Sequence, residues 1–523
     1  MKNLSKKTIN ILTGVSLLAG VLMFNSCSRD NLLDLSPINS ADEKMAFTDP
    51  DLIKLSVTGV YNAAQIGSYN GAPRGYPFGA AYFQQNDMRG EDMVSTAGFY
   101  QYTYTSTWDA SGTLNNIVYW ADTYRLINRA NLVIEGVKGA VQKGVIPQDL
   151  GNSYIGEALF FRAMSHLELL KFYARPYNFT AGATHPGVPY RTKGIYSLET
   201  IDEGLNQGRG TVAENYKQIL DDLNTAESYL YTKTQRAGKE KVSRITKEAA
   251  IALKTRVYLG MRNWQKVIEE ANKLDGKYSI EGSINTVFTI ASSLTNNESV
   301  FSLENSATNN PQTNGALGAM YNGRKLIAIS PVIWNNGGWL VDDKRREEGT
   351  MVISSGAKYT NKYKDPALFT DSSPLIRYAE VLLNRAEAKA RLGDASYLAD
   401  LNKVRNRSLA SPSQAYTSAS FSSNSDAVKA ILLERRIEFL GEGMRWADIH
   451  RLQLDDIAPI DGIPAKYANA LPAAADYKIG TPYVFKVSDQ KAIPASNNIF
   501  LWPIPANEIA SNPTLKGQQN PGW

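Results

Sequence analysis

The chain has 523 residues, 43% of them hydrophobic and 20% charged, with a formal charge of +5. That is enough for one large globular unit or two, and too even a charge balance for a nucleic-acid-binding body. A single cysteine, Cys27, rules out an internal disulfide and any thiolate-built zinc or iron–sulfur centre, and His166, His185 and His450 lie too far apart in sequence for a paired-histidine metal motif.

Residues 1–26 open on Lys2, Lys6 and Lys7, run through a mostly apolar stretch from Ile9 to Phe24, and end on the small Ser26. A basic head, an apolar core and a small residue before the cut form the layout of a secretory signal, and the run is short for a membrane span. Its removal takes three lysines and no acid, which brings the formal charge from +5 to +2. Cleavage before Cys27 makes that thiol the new N-terminus. Acylation there would anchor a soluble body without a spanning helix, since each buried methylene contributes about 0.8 kcal/mol.

Beyond the signal, the first expected helix is Asp51–Gln65. Residues 66–113 follow, rich in Gly, Asn, Ser, Thr and aromatics, without helical periodicity. Within them "QQNDMRGEDM" (84–93) gathers carboxylates that could serve a hydrolase, bind hydroxyls or face solvent. The stretch 99–124 holds eight aromatic residues in 26, well above the 10% of the whole chain. If extended, Tyr100, Tyr102 and Tyr104 share one face, and Trp108 follows in a loop. Tyr119, Trp120 and Tyr124 instead keep helical spacing with Ile117 and Ile127, which marks core.

Further helices are expected at Leu114–Val133, Tyr154–Tyr173 and Val212–Leu230. Residues 245–278 read as helix, glycine-containing turn, helix, capped by Thr246 and punctuated by Gly260 and Gly276. The stretch 372–395 reads the same way, with Ser373 as cap, Pro374 at the first helical position, Leu375, Ala379, Leu382, Ala386 and Ala390 on one face, and Gly393 at the end. Both pairs look like tetratricopeptide units, though not in tandem. Between them, residues 279–371 are again loop-like and are expected to contain short strands. There "SPVIWNNGGWLVDDKRREEG" (330–349) sets Trp334 and Trp339 around Asn335 and two glycines. Such rings either pin loops to the helical wall or present a face to the C–H side of a sugar, with amides and guanidinium groups for its hydroxyls.

The last long helix is expected at Asp426–Leu440. "ILLERRIEFLGEGMRWADIHR" (431–451) concentrates Glu434, Glu438, Glu442 and Asp448 among Arg435, Arg436, Arg445 and Arg451. Two carboxylates can do glycosidase chemistry. Glu434 and Glu438 are four apart on one helix beside arginines, however, the pattern of an ion-pair network whose acids titrate low. No nucleophile elbow, P-loop, dinucleotide fingerprint or metal motif is present, so no catalytic residue, metal or cofactor is implied.

The segments that carry a resemblance are "CSRDNLLDLSP", "EALFFRAMSHLELLKFYARPY" (157–177), "RYAEVLLNRAEAKARLGD", "ERRIEFLGEGMRWADIHRL" and the closing "LWPIPANEIASNPTLKGQQNPGW" (501–523). In this order and spacing the chain resembles the SusD/RagB family of nutrient-uptake lipoproteins. The resemblance implies a mainly α fold with four tetratricopeptide-like helix pairs in a superhelical wall and loop-rich excursions with short strands. After a 1–26 signal, residues 27–523 would form one unit, with an N-terminal part 27–278 and a C-terminal part 279–523.

It also implies a lipid anchor at Cys27 on the outer membrane, exposed at the cell surface, and a SusC-like TonB-dependent barrel as partner. The ligand would be an oligosaccharide, bound and not cleaved. Peptide capture and, less well supported, glycan hydrolysis are the alternatives. The family site varies too much for transfer by motif. Local chemistry selects Tyr100, Tyr102, Trp108, Trp334 and Trp339 for stacking, with Arg89 and Asn335 as hydrogen-bond donors.

Overall fold

The computed structural model describes residues 45–69 and 72–523, so the signal and Cys27 lie outside the described residues. The fold is mainly helical. Its centre is the Gln148–Tyr173 helix, buried on nearly every side from Gly151 to Tyr173 between the Leu114–Gln142 and Val212–Tyr229 helices. A helix covered all round needs no amphipathic stripe, but its polar side chains then need partners. Arg162 meets Asp222 at 2.6 Å, Glu157 takes Arg236 and Arg244 at 2.7 Å each, and Lys171 pairs with Glu168 at 2.6 Å.

The Lys247–Gly260 and Trp264–Asn272 helices form a hairpin, and so do Tyr378–Arg391 and Tyr397–Arg405; the two hairpins pack on each other. Thr246 caps the first by accepting from the Ala249 N–H at 3.4 Å, and Asn263 caps the second by accepting from Lys266. Gly393 closes the third at φ +77°, a left-handed geometry that glycine adopts without steric cost. The expected helices at 51–65, 114–133, 154–173, 212–230 and 426–440 are all present, several with longer ends.

One expectation needs correcting. Ser373–Arg377 is a β-strand paired antiparallel with Ser299–Leu303, and the helix starts only at Tyr378. Ser373 and Pro374 therefore cap nothing. A five-residue strand buried on both faces cannot be told from a buried helix turn by periodicity.

The loop-rich stretches contain the expected short strands. Met93–Ser95 pairs antiparallel with Ile327–Ile329, and Met351–Ser354 forms a hairpin with Ala357–Thr360. That hairpin turns on Ser355 (φ 50°) and Gly356 (φ 80°), two successive positive values as its twist requires. The C-terminal stretch returns to the central helix. Trp502 stacks on Phe172 at 4.1 Å, and Asn520 Nδ2 donates to the carbonyls of Tyr173 (2.9 Å) and Trp502 (2.7 Å).

Candidate functional site

The arginine-rich segment is a buried ion-pair lattice. Glu438 accepts from Arg345 at 3.1 Å and Arg377 at 3.0 Å, and also pairs with Arg407. Arg377 reaches Glu298 at 2.5 Å and Glu442 at 2.8 Å. Arg451 joins Glu387 at 2.7 Å to Asp448 at 2.8 Å. Burial alone would raise the Glu438 carboxyl, but Arg407, Arg377 and Arg345 outweigh it and hold the group well below the carboxylate range. Glu434 goes the other way: burial prevails over Arg345 and raises it, contrary to the expectation that both acids titrate low. Neither reaches solvent. The 84–93 carboxylates are equally engaged: Glu91 meets Arg445 at 2.6 Å, Asp92 pairs with Arg436, and Asp87 accepts from Tyr321 Oη at 2.7 Å. His166 and His450 are both pushed down to about 3 by burial.

The residues selected for sugar contact have mostly structural surroundings. Tyr100, Tyr102 and Tyr104 do not share a face, because Gln101–Thr105 is a short helix. Tyr100 and Tyr104, four apart, turn inward, and only Tyr102, 45% exposed, turns outward. Trp108 is buried edge-on to Trp502 at 6.1 Å, and Arg89 lies 4.5 Å from its ring. Arg89 is sealed among Trp108, Trp446, Phe172 and Trp502 and donates to the Phe500 carbonyl at 2.6 Å. Trp334 and Trp339 do come together, 5.3 Å apart at 70°, but Arg346 at 4.5 and 4.0 Å packs on both rings, and both are buried. Asn335 spends its amide on the 476–478 backbone, donating to the Asp476 carbonyl at 2.8 Å and accepting from Lys478 N–H at 2.7 Å. The expected open shelf of Tyr100, Trp108, Trp334 and Trp339 is thus corrected: long loops are fastened to the body by their aromatic residues, which leaves no ring face for a ligand.

An accessible aromatic surface lies beside Tyr102 instead, where three chain segments converge. Antiparallel pairing of Met93–Ser95 with Ile327–Ile329 brings the chain leaving Ser95 next to the chain entering Ile327, and Thr96 extends the pairing to the carbonyls of Leu326 (3.0 Å) and Lys325 (2.8 Å). Phe99 and Arg324 are thereby neighbours. The third segment arrives through Gly75, whose φ of +67° lets its N–H reach the Ile66 carbonyl at 2.7 Å. Gly315 packs directly on it: a β-carbon there would lie 3.1 Å from both the Arg74 carbonyl carbon and the Gly75 nitrogen.

The half-buried Phe99 ring ends up with the guanidinium of Arg74 at 4.8 Å and that of Arg324 at 4.9 Å. Arg324 follows a π-helical turn, Gly318–Gly323, and is oriented by Asn314 Oδ1 at 2.6 Å. On the far side, Tyr104 Oη donates to the Tyr467 carbonyl at 2.7 Å, and beyond it Tyr483 and the 45%-exposed Phe485 extend the aromatic surface.

Arg74, Phe99, Asn314 and Arg324 were not selected from sequence. Their signal was an arginine set against glycine in two turn-rich stretches, "GAPRGYP" and "YNGRKL", together with the first aromatic of the 99–124 run. Only the strand register shows that these pieces meet.

Two family models match the chain, one described as "SusD family" over residues 297–523 and one as "Starch-binding associating with outer membrane" over residues 33–259. The chain belongs to the SusD/RagB family. The SusD-like protein P38 of Formosa agariphila is 21% identical over 536 residues, spanning 88% of this chain and 95% of that protein. A SusD superfamily protein from Bacteroides fragilis shares the fold at a TM-score of 0.73 and 26% identity, covering 90% of this chain and 99% of its own. A SusD-like carbohydrate binding protein from Bacteroides vulgatus superposes at a TM-score of 0.71 and 21% identity, covering 89% and 97%. Among the described residues of this SusD-like chain, no helix is long and apolar enough to cross a membrane, and no cluster of three metal-ligating side chains occurs.

Proposed function

We propose that this SusD-like protein is an outer-membrane lipoprotein, anchored through Cys27 at the cell surface. It binds oligosaccharide without cleaving it and passes it to a SusC-like TonB-dependent transporter. The observation that carries the binding half of this reading is the half-buried Phe99 ring with the guanidinium groups of Arg74 and Arg324 set against it. A pyranose lays its C–H face on such a ring and takes hydrogen bonds on its hydroxyls from Arg74, Arg324 and Asn314, while Tyr102 offers a second ring nearby. Non-cleavage is supported by the acids of the 84–93 and 431–451 segments, which are consumed in buried ion pairs or, for Asp87, buried on the Tyr321 hydroxyl and the Gly443 N–H. The family description, "Starch-binding associating with outer membrane", and the carbohydrate-binding relative from Bacteroides vulgatus agree with this class of ligand, and the description with membrane association.

A glycan array on the mature chain, followed by calorimetry, tests the proposal. At least one oligosaccharide is expected to bind, and Phe99→Ala is expected to weaken it by about tenfold, the scale of one lost stacking contact. Binding of peptides with no glycan bound, or steady release of new reducing ends, would overturn it.

A further inference from the structure

Arg74 and Arg324 pair with no acid among the described residues, and both lie against the Phe99 ring. Most buried arginines meet one or more carboxylates, as Arg377 and Arg451 do, and the buried ones that do not spend their donors on carbonyls, as Arg89 does on Phe500 and Arg209 on Gly187 and Tyr173. Around Phe99 no carboxylate of the described residues lies within ion-pair reach of either guanidinium. Arg324 uses one nitrogen on the neutral Asn314 amide, and Lys325, next in sequence, donates only to the Asn322 carbonyl at 2.8 Å. Beneath them the Tyr100 hydroxyl is buried with no hydrogen-bond partner, and the charged side chains acting on it are Arg74 and Arg324. In a body whose formal charge without the signal is only +2, this is a local positive field at a half-buried aromatic ring.

A neutral sugar would use guanidinium donors for hydroxyls but would leave the charge uncompensated. A planar carboxylate or a sulfate ester matches the guanidinium fork and adds charge-assisted hydrogen bonds, which are stronger than neutral ones. Resting on the sugar-binding reading, we infer that the ligand of this site is an anionic oligosaccharide, its uronate carboxylate or sulfate ester held between Arg74 and Arg324 while the adjoining ring face lies on Phe99.

Calorimetry on the mature chain with three matched probe series separates the possibilities: oligogalacturonides for carboxylate, sulfated galactan oligosaccharides for sulfate ester, and unsulfated galactan oligosaccharides as the neutral control. One charged series is expected to bind at least about tenfold more tightly than the neutral one, with affinity falling as salt rises. The double variant Arg74→Gln, Arg324→Gln is expected to erase that preference, with an unchanged thermal midpoint showing that it folds. Equal or tighter binding of the neutral series, or a charge preference that survives the double variant, overturns the inference and leaves glycan capture standing. If no probe series binds and the array is blank as well, both fall together.

Discussion

Trp108 and Phe99 are nine positions apart in one aromatic run, yet the structure gives them opposite work. Trp108 is buried edge-on to Trp502 with Arg89 against its face, whereas Phe99 is only half-buried, under the guanidinium groups of Arg74 and Arg324. Trp108→Ala should therefore cost stability, about 3–5 kcal/mol as for large aromatic truncations in a core, and Phe99→Ala about 1 kcal/mol or less. Denaturant titration of both variants checks this; similar losses would mean that Phe99 is a core residue too. Asp87 gives a second test at this scale. Burial pushes its carboxyl up to about 8 despite hydrogen bonds from Tyr321 and Gly443 and the nearby Lys362 charge, while Glu442 adds to the rise. The native protein thus holds a proton that the unfolded chain releases at the ordinary value of 3.8, so this group's contribution is fullest below about 4 and is lost as pH climbs towards about 8. Asp87→Asn keeps the shape without the charge. Its melting temperature relative to the parent should rise between about pH 4 and pH 8 and level off above that, and a gap that does not change with pH would refute the assignment.

Helices were legible from sequence because their apolar spacing is long and repeated, as in 212–230 and 247–260, and because caps such as Thr246 and closing glycines such as Gly393 mark their ends. The short elements were not. Residues 100–104 fit an alternating strand on paper, but a five-residue helix takes Tyr100 and Tyr104 to the core and leaves Tyr102 outside. The 373–377 strand read as a helix start, because what decides it is a partner, Ser299–Leu303, more than seventy positions earlier. The site has the same origin: Arg74, Phe99 and Arg324 meet through one strand register and one glycine contact, neither visible to local pattern. That dependence can be tested at Gly315. A β-carbon there would lie 2.7 Å from Pro311 Cβ and 3.1 Å from the Arg74–Gly75 backbone, so the 311–315 turn has to shift against Arg74. Gly315→Ala should lower ligand affinity by about tenfold while hydrogen exchange still protects the Met93–Ser95 and Ile327–Ile329 pairing. Unchanged affinity would show that the two segments need not touch for binding.

Across the whole molecule, the regions matched by the two family models are locked into one core. Arg256 of the first meets Glu380 of the second at 2.7 Å, Arg445 meets Glu91 at 2.6 Å, and Trp502 lies on Phe172. Removing one partner of a buried pair leaves a charge stranded at a cost of about 3–5 kcal/mol, so the two regions are not free to swing against each other. Under the proposed function, motion between capture and release then falls to the body as a unit about its membrane attachment. The attachment itself is the last thing to test. A single acyl chain holds a protein only reversibly, while two or three chains at about 0.8 kcal/mol per methylene hold it stably. Cys27→Ala should therefore move the full-length protein from the outer-membrane fraction to the soluble one, and mass spectrometry of the parent's N-terminal peptide should find Cys27 acylated. A Cys27→Ala variant that stays with the membrane would place the anchor elsewhere and remove the tether from the capture-and-transfer scheme, without touching the evidence for the binding face.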